Sequence, residues 1–126
     1  MRYLRIIRVR DLDNRVTLKK NYEFKRLYNK GRSAVTPFLV VYCLKNRSGS
    51  DRVGFTVSVK LGKAVVRNRI RRRLREIYRL NRDRLKSGYD IVIVARSRCA
   101  DAEYAKIGHA FLSACRQLDI LKENDE

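Results

Sequence analysis

The apolar positions switch between helical and strand periods along the chain, and the switches mark out its elements. In TLKKNYEFKRLYNKG, Phe24, Leu27 and Tyr28 recur at i, i+3 and i+4. Asn21 is placed to cap this short helix and Gly31 to end it. Ser33 and Pro37 then lead into FLVVYCLK, a run rich in valine and aromatics that reads as a strand. After the turn signal NRSGSD, the stretch RVGFTVSVK alternates. Val53, Phe55, Val57 and Val59 fall on one side, and Gly54, Thr56, Ser58 and Lys60 on the other. These two runs are expected to pair as an antiparallel hairpin, with an additional short strand around residues 57–61. YDIVIVAR is continuously apolar, the pattern of a strand buried on both faces. A last helix, with Asp101 as its expected cap, carries Tyr104, Ile107, Phe111, Ala114, Leu118 and Leu121. The predicted order is α-β-β-(β)-α-β-α, an α/β fold in which one three- or four-stranded sheet carries packed helices.

Between the second and the last of these strands lies KAVVRNRIRRRLREIYR. With about 100° per residue, Val66, Ile70, Leu74, Ile77 and Tyr78 share one arc of a helix ending near Arg82. Asn68, Arg71, Arg72, Arg75 and Arg79 share the opposite arc, and Arg69, Arg73 and Glu76 flank it. A solvated helix face normally alternates sign, so that i,i+4 neighbours attract. Here Arg67 and Arg71, Arg69 and Arg73, Arg71 and Arg75, and Arg75 and Arg79 repel instead. A membrane-surface helix needs a broad bulky apolar face, and the core already claims the one present. A nucleic-acid backbone is the remaining reading. Guanidinium forks suit phosphate oxygens and lose hydration at lower cost than ammonium. Asn68 adds an amide suited to a base edge or a ribose hydroxyl.

Composition strengthens this picture. The formal net charge of +18 over 126 residues destabilises a compact chain by self-repulsion, which a polyanion relieves. The three cysteines, Cys43, Cys99 and Cys115, form no CxxC pair and read as small buried residues in a reducing compartment. His109 is the only histidine, so a histidine-rich metal site is excluded. No apolar run approaches the roughly 20 residues of a membrane span, and the arginine-interrupted start is unlike a signal peptide. A cytoplasmic location is expected. Residues 1–16 mix charge and short apolar pairs without a period and are set apart as an N-terminal extension. Residues 17–122 form one RNA-binding domain, and residues 123–126 an acidic tail.

The arginine segment also carries a specific pattern. VGFTVSVKLG followed by KAVVRNRIRRRLRE resembles the signature of the bacterial ribonuclease P protein subunit, a run of the form K-x-G-x-A-V-x-R-N-R-x-K/R-R. Lys60, Gly62, Ala64, Val65, Arg67, Asn68, Arg69, Arg71 and Arg72 match it in order. LKKNYEFKRLYNKGRS is similar to the family's first block, with Phe24, Gly31 and Ser33 in place, and IVIVAR fits as well. Two positions differ from the usual pattern. Tyr28 stands where phenylalanine is common, and Glu23 where aspartate is.

The resemblance implies a small single-domain two-layer sandwich with an unusual left-handed β-α-β crossover. It implies an accessory subunit of an endoribonuclease that matures the 5′ ends of tRNA. The chemistry would reside in the partner RNA, with Mg2+ at the RNA active site and no cofactor or metal bound by the protein. The expected partners are that catalytic RNA and precursor tRNA, with no obligate protein partner. By position, Lys60, Lys63, Arg67, Asn68, Arg69, Arg71, Arg72, Arg75 and Arg79 would face RNA. Phe24, Tyr28 and Tyr42 would line a cleft for the single-stranded 5′ leader, where aromatic faces stack bases with little sequence preference. A core role for Phe24 is the competing reading. The residues alone leave room for a general structured-RNA binder. They offer no His/Cys/carboxylate cluster for a stand-alone nuclease.

Overall fold

A computed structural model describes residues 17–122. The expected N-terminal extension and acidic tail lie outside the described residues. The elements are α1 (Asn21–Lys30), β1 (Arg32–Val35), β2 (Leu39–Lys45), β3 (Arg52–Thr56), α2 (Ala64–Asn81), β4 (Tyr89–Ala95) and α3 (Tyr104–Gln117). The four strands form one sheet in the order β1-β2-β4-β3. β4 is antiparallel to β2 and parallel to β3, and α2 connects that parallel pair.

The reason for this order lies in β4. Ile91 and Ile93 face the core built by α2 and α3, while Val92 faces Leu18 and Leu27 on the α1 side. A strand apolar on both faces is stable only where both faces are covered and both edges paired. β4 therefore takes the centre, between β2 and β3. The expected hairpin between those two strands does not form. The turn 46–51 instead carries the chain past the start of β4. Asn46 spans that crossing, donating from Nδ2 to the Ser50 carbonyl (2.8 Å) and to the buried Asp90 carboxylate (2.9 Å). Gly88 N–H donates to Asp51 from the other side (2.9 Å).

The additional strand exists, but not at 57–61. Alternation ends after the buried Val57, and Val59–Leu61 turn in a 3-10 helix that leaves Val59 exposed. The extra strand is β1, formed by RSAV, which pairs with β2 through a tight turn at Pro37. Thr36 closes this turn. Its hydroxyl donates to the Leu39 carbonyl (2.8 Å) and accepts the Leu39 N–H (3.0 Å).

Helix boundaries also shift. α1 is capped not by Asn21 but by Glu23, whose carboxylate accepts the N–H groups of Lys19 (3.2 Å) and Lys20 (3.1 Å). A carboxylate reaching back from the first turn satisfies otherwise orphaned donors. α3 starts after Glu103, because Asp101 ends a 3-10 turn over Ser97–Ala100. Leu121 lies past the helix and bridges Leu85 instead.

The arginine helix buries the stripe read from its period. Ile70, Leu74, Ile77 and Tyr78 are buried, and Val66 packs at the margin. Burial pushes the Tyr78 hydroxyl up to about 12. The three cysteines are free and buried, and burial pushes the thiols of Cys99 to about 11 and Cys115 to about 12.

Glu23 does a second job. It forms an ion pair with Arg52 at the start of β3, so one carboxylate both caps α1 and ties it to the sheet. Burial raises the pKa of Glu23, but the Arg52 hydrogen bond and the two N–H donors outweigh this and hold it below 4.5. A depressed folded pKa means stability that is present above the unfolded value and lost as pH falls through the folded one. Glu23→Gln is therefore expected to lower stability at pH 7, with the difference from wild type shrinking as pH falls through the lowered folded pKa of Glu23. Urea unfolding across pH checks this. A pH-independent difference would show that charge is not the cause.

Candidate RNA-binding surface

Two features meet at the edge of the sheet where β3 ends. The first is a cleft of about 500 Å³ between α1 and the start of α2. α1 contributes Asn21, Phe24, Lys25 and Tyr28, preceded by Lys19. β3 and the residue after it contribute Phe55, Thr56 and Val57, and α2 contributes Arg71. No carboxylate and no imidazole lines this cleft.

Its aromatic wall is fixed by packing. Tyr28 and Thr56 share a hydroxyl–hydroxyl hydrogen bond of 2.8 Å, which joins α1 to the end of β3. The Tyr28 ring stands edge-on to Tyr42 at 4.9 Å and lies 6.5 Å from Phe24. Tyr28 keeps 39% of its surface exposed on the cleft. Tyr42 does not line the cleft. Half-buried on β2, it packs against the α1-side core and meets the Tyr28 ring edge-on. Phe24 both lines the cleft and packs on the α1-side core. Gly54 makes this possible. A Cβ there would come within 2.6 Å of the Phe24 ring.

The second feature is a smaller hollow of about 250 Å³ lined only by Asn68, Arg71, Arg72 and Arg75. Arg71 donates to the Asn68 amide oxygen (3.0 Å), and the Arg75 guanidinium lies 5.8 Å over the Phe55 ring. Arg72 is exposed and makes no hydrogen bond or ion pair with a described residue. Arg71 lines both the hollow and the cleft, so the two are continuous.

The remaining residues of the arginine segment are placed differently. Arg67 turns back to the Gly62 carbonyl (3.1 Å). Gly62 has φ +143°, a conformation that side chains rarely adopt, and its turn starts α2. Arg69 and Arg73 donate to the carbonyls of Ala100 (3.4 Å) and Ala102 (3.2 Å), holding the loop before α3. Arg79 is paired with Glu76 at 2.6 Å, and its side chain is only 10% exposed. Lys60 and Lys63 are exposed at the turn before α2 and line neither recess. The first turn of α2 carries no acid to offset its positive dipole end.

The sequence profile of the family described as Ribonuclease P matches residues 12–119. The chain belongs to the ribonuclease P protein family. It is 44% identical over 104 residues to the Ribonuclease P protein component of Alkaliphilus oremlandii, covering 82% of this chain and 91% of that one. It is 43% identical over 111 residues to the component of Clostridioides difficile, covering 87% and 97%. Among solved structures, the RNase P protein of Staphylococcus aureus superposes with a TM-score of 0.77 at 32% identity, covering 84% of this chain and 97% of that one. The protein of Thermotoga maritima superposes with a TM-score of 0.71 at 29% identity, covering 77% and 92%.

Asn21, Lys25, Phe55, Thr56 and Val57 were not among the expected site residues. Asn21 and Lys25 share a helix face with Phe24 and Tyr28, so the helical period carried that signal. The β3 residues had none, since their place depends on where α1 docks. No three His, Cys, Asp or Glu side chains gather as a metal site among the described residues. No described helix is long and apolar enough to cross a membrane.

Gly54→Ala is expected to displace Phe24 and lower stability by about 1–3 kcal/mol, the usual cost of overpacking. Thermal unfolding measures the loss. An unchanged midpoint would mean that the ring yields freely.

Proposed function

We propose that this chain binds the catalytic RNA of ribonuclease P through the basic face of α2 and holds the 5′ leader of precursor tRNA in the cleft. In this way it promotes endonucleolytic removal of the leader. The observation that carries the reading is the cleft lining: aromatic rings, one amide, two hydroxyls and cations, with no carboxylate. Such a surface stacks and neutralises a single strand. It offers no acid–base pair to cleave one, so the chemistry is assigned to the partner RNA and its Mg2+.

The two RNAs divide the surface. Asn68, Arg72 and Arg75, which line the arginine hollow, are assigned to the catalytic RNA. Phe24 and Tyr28 take leader bases, and Arg71 neutralises phosphate where the two paths meet. Lys60, Lys63 and Arg67 extend the positive surface around the start of α2, whose dipole has the same sign. Arg69 and Arg79 serve RNA less directly, because each already has a protein partner.

Cleavage of precursor tRNA at low magnesium, with partner RNA and with or without this protein, tests the function. A gain in rate and in precursor affinity is expected, and its absence rejects the reading. Tyr28→Ala should weaken precursor binding by roughly five- to a hundredfold and leave mature tRNA unaffected. Equal losses for both would remove the leader from the cleft. Arg72→Ala should reduce the slope of log affinity against log salt by somewhat less than one unit. Arg79→Ala should change it less, since that charge is already neutralised by Glu76. The measurement is partner-RNA binding across a salt series.

A further inference from the structure

We propose that the outward face of α1 is a second RNA track, on which Tyr22 stacks a leader base upstream of those held in the cleft. The proposal rests on the leader reading of the cleft and extends it.

Tyr22 is 66% exposed, and its side chain makes no hydrogen bond or ring contact with a described residue. On a helix, its neighbours at i+3, i+4 and i+7 are Lys25, Arg26 and Asn29. All three are exposed. An open aromatic ring thus stands among two cations and an amide. The only acid of α1, Glu23, is turned away into its ion pair with Arg52. Lys25, Arg26 and Lys30 have no carboxylate partner among the described residues.

Continuity with the cleft gives this face its direction. At about 100° per residue, the cleft residues Tyr28, Asn21 and Lys25 are followed around the helix by Asn29, Tyr22 and Arg26. Lys25 lines the cleft and flanks Tyr22, so it joins the two surfaces. The other wall of the cleft is Arg71, at the border of the arginine hollow. A strand that comes from the α2 side and fills the cleft leaves it across α1. Its charge matches the cations there, and its bases can use an open ring without sequence preference.

The test uses the reconstituted holoenzyme and precursor tRNAs whose leaders are lengthened stepwise. With leaders that only fill the cleft, Tyr22→Ala should bind as wild type does. With longer leaders, wild type should gain about fivefold or more in affinity, and Tyr22→Ala should not. Tyr22→Phe should keep the gain, since stacking does not use the hydroxyl. Abasic nucleotides in the upstream segment should abolish it in wild type. Equal affinity of Tyr22→Ala and wild type at every length would overturn the proposal, as would an equal loss at every length. Tyr28→Ala on the short leader separates the two readings. If Tyr28→Ala weakens binding and Tyr22→Ala does nothing, only the α1 track fails. If Tyr28→Ala does nothing, the cleft reading fails and the track fails with it.

Discussion

The burial of β4 on both faces is the constraint from which the rest of the architecture follows. A strand reading IVIV needs apolar cover above and below and a paired neighbour on each edge. β2 supplies one edge and β3 the other, so these two strands, consecutive in sequence, are separated in space. α2 and α3 cover one face. Leu18, Leu27 and Phe24 cover the other. Because β3 is pushed to the border of the sheet, its last residues stand between α1 and α2, and the cleft is the gap that results. The site is a by-product of how the central strand is satisfied.

The arginine helix shows how a buried stripe and an uncompensated charge can share one element. Its inner residues are packed on the sheet, so it stays helical despite repulsion between i,i+4 arginines, each pair costing a few tenths of a kcal/mol. The outer charges then sort by what the fold offers them. Arg69 and Arg73 reach the carbonyls of the loop before α3, and Arg79 reaches Glu76. Arg71, Arg72 and Arg75 find no acid and converge with Asn68 on one hollow. Preorganised cations on a rigid helix bind a polyanion with little ordering cost, which is why the same charge would serve RNA poorly on a mobile loop.

Glu23 links the two themes. One carboxylate caps α1 and pairs with Arg52 on β3. It thereby sets the distance between the aromatic helix and the strand that forms the opposite wall. The Tyr28–Thr56 hydrogen bond does the same one helical turn further on. The tyrosine that departs from the family's usual phenylalanine has a structural use for its hydroxyl, while its ring remains partly open.

By itself the sequence determined the elements whose signal is local. The periods marked α1, the arginine helix with its buried stripe, the doubly buried strand and the last helix. The run of like charge raised the expectation of a polyanionic partner, and the spacing of RNR and its neighbours marked the family. The tertiary structure alone decided what depends on residues far apart in the chain. It placed β4 between β2 and β3, turned residues 59–61 out of the sheet and made RSAV an edge strand. It set Tyr42 edge-on to Tyr28, outside the cleft lining, and brought Phe55, Thr56 and Val57 into the cleft. It also divided the arginines into those with protein partners and those without. The physical reason is the same in each case. Periodicity reports which face of an element is apolar, whereas strand order and side-chain partners are set by which faces meet, and that is settled only when the whole core is closed.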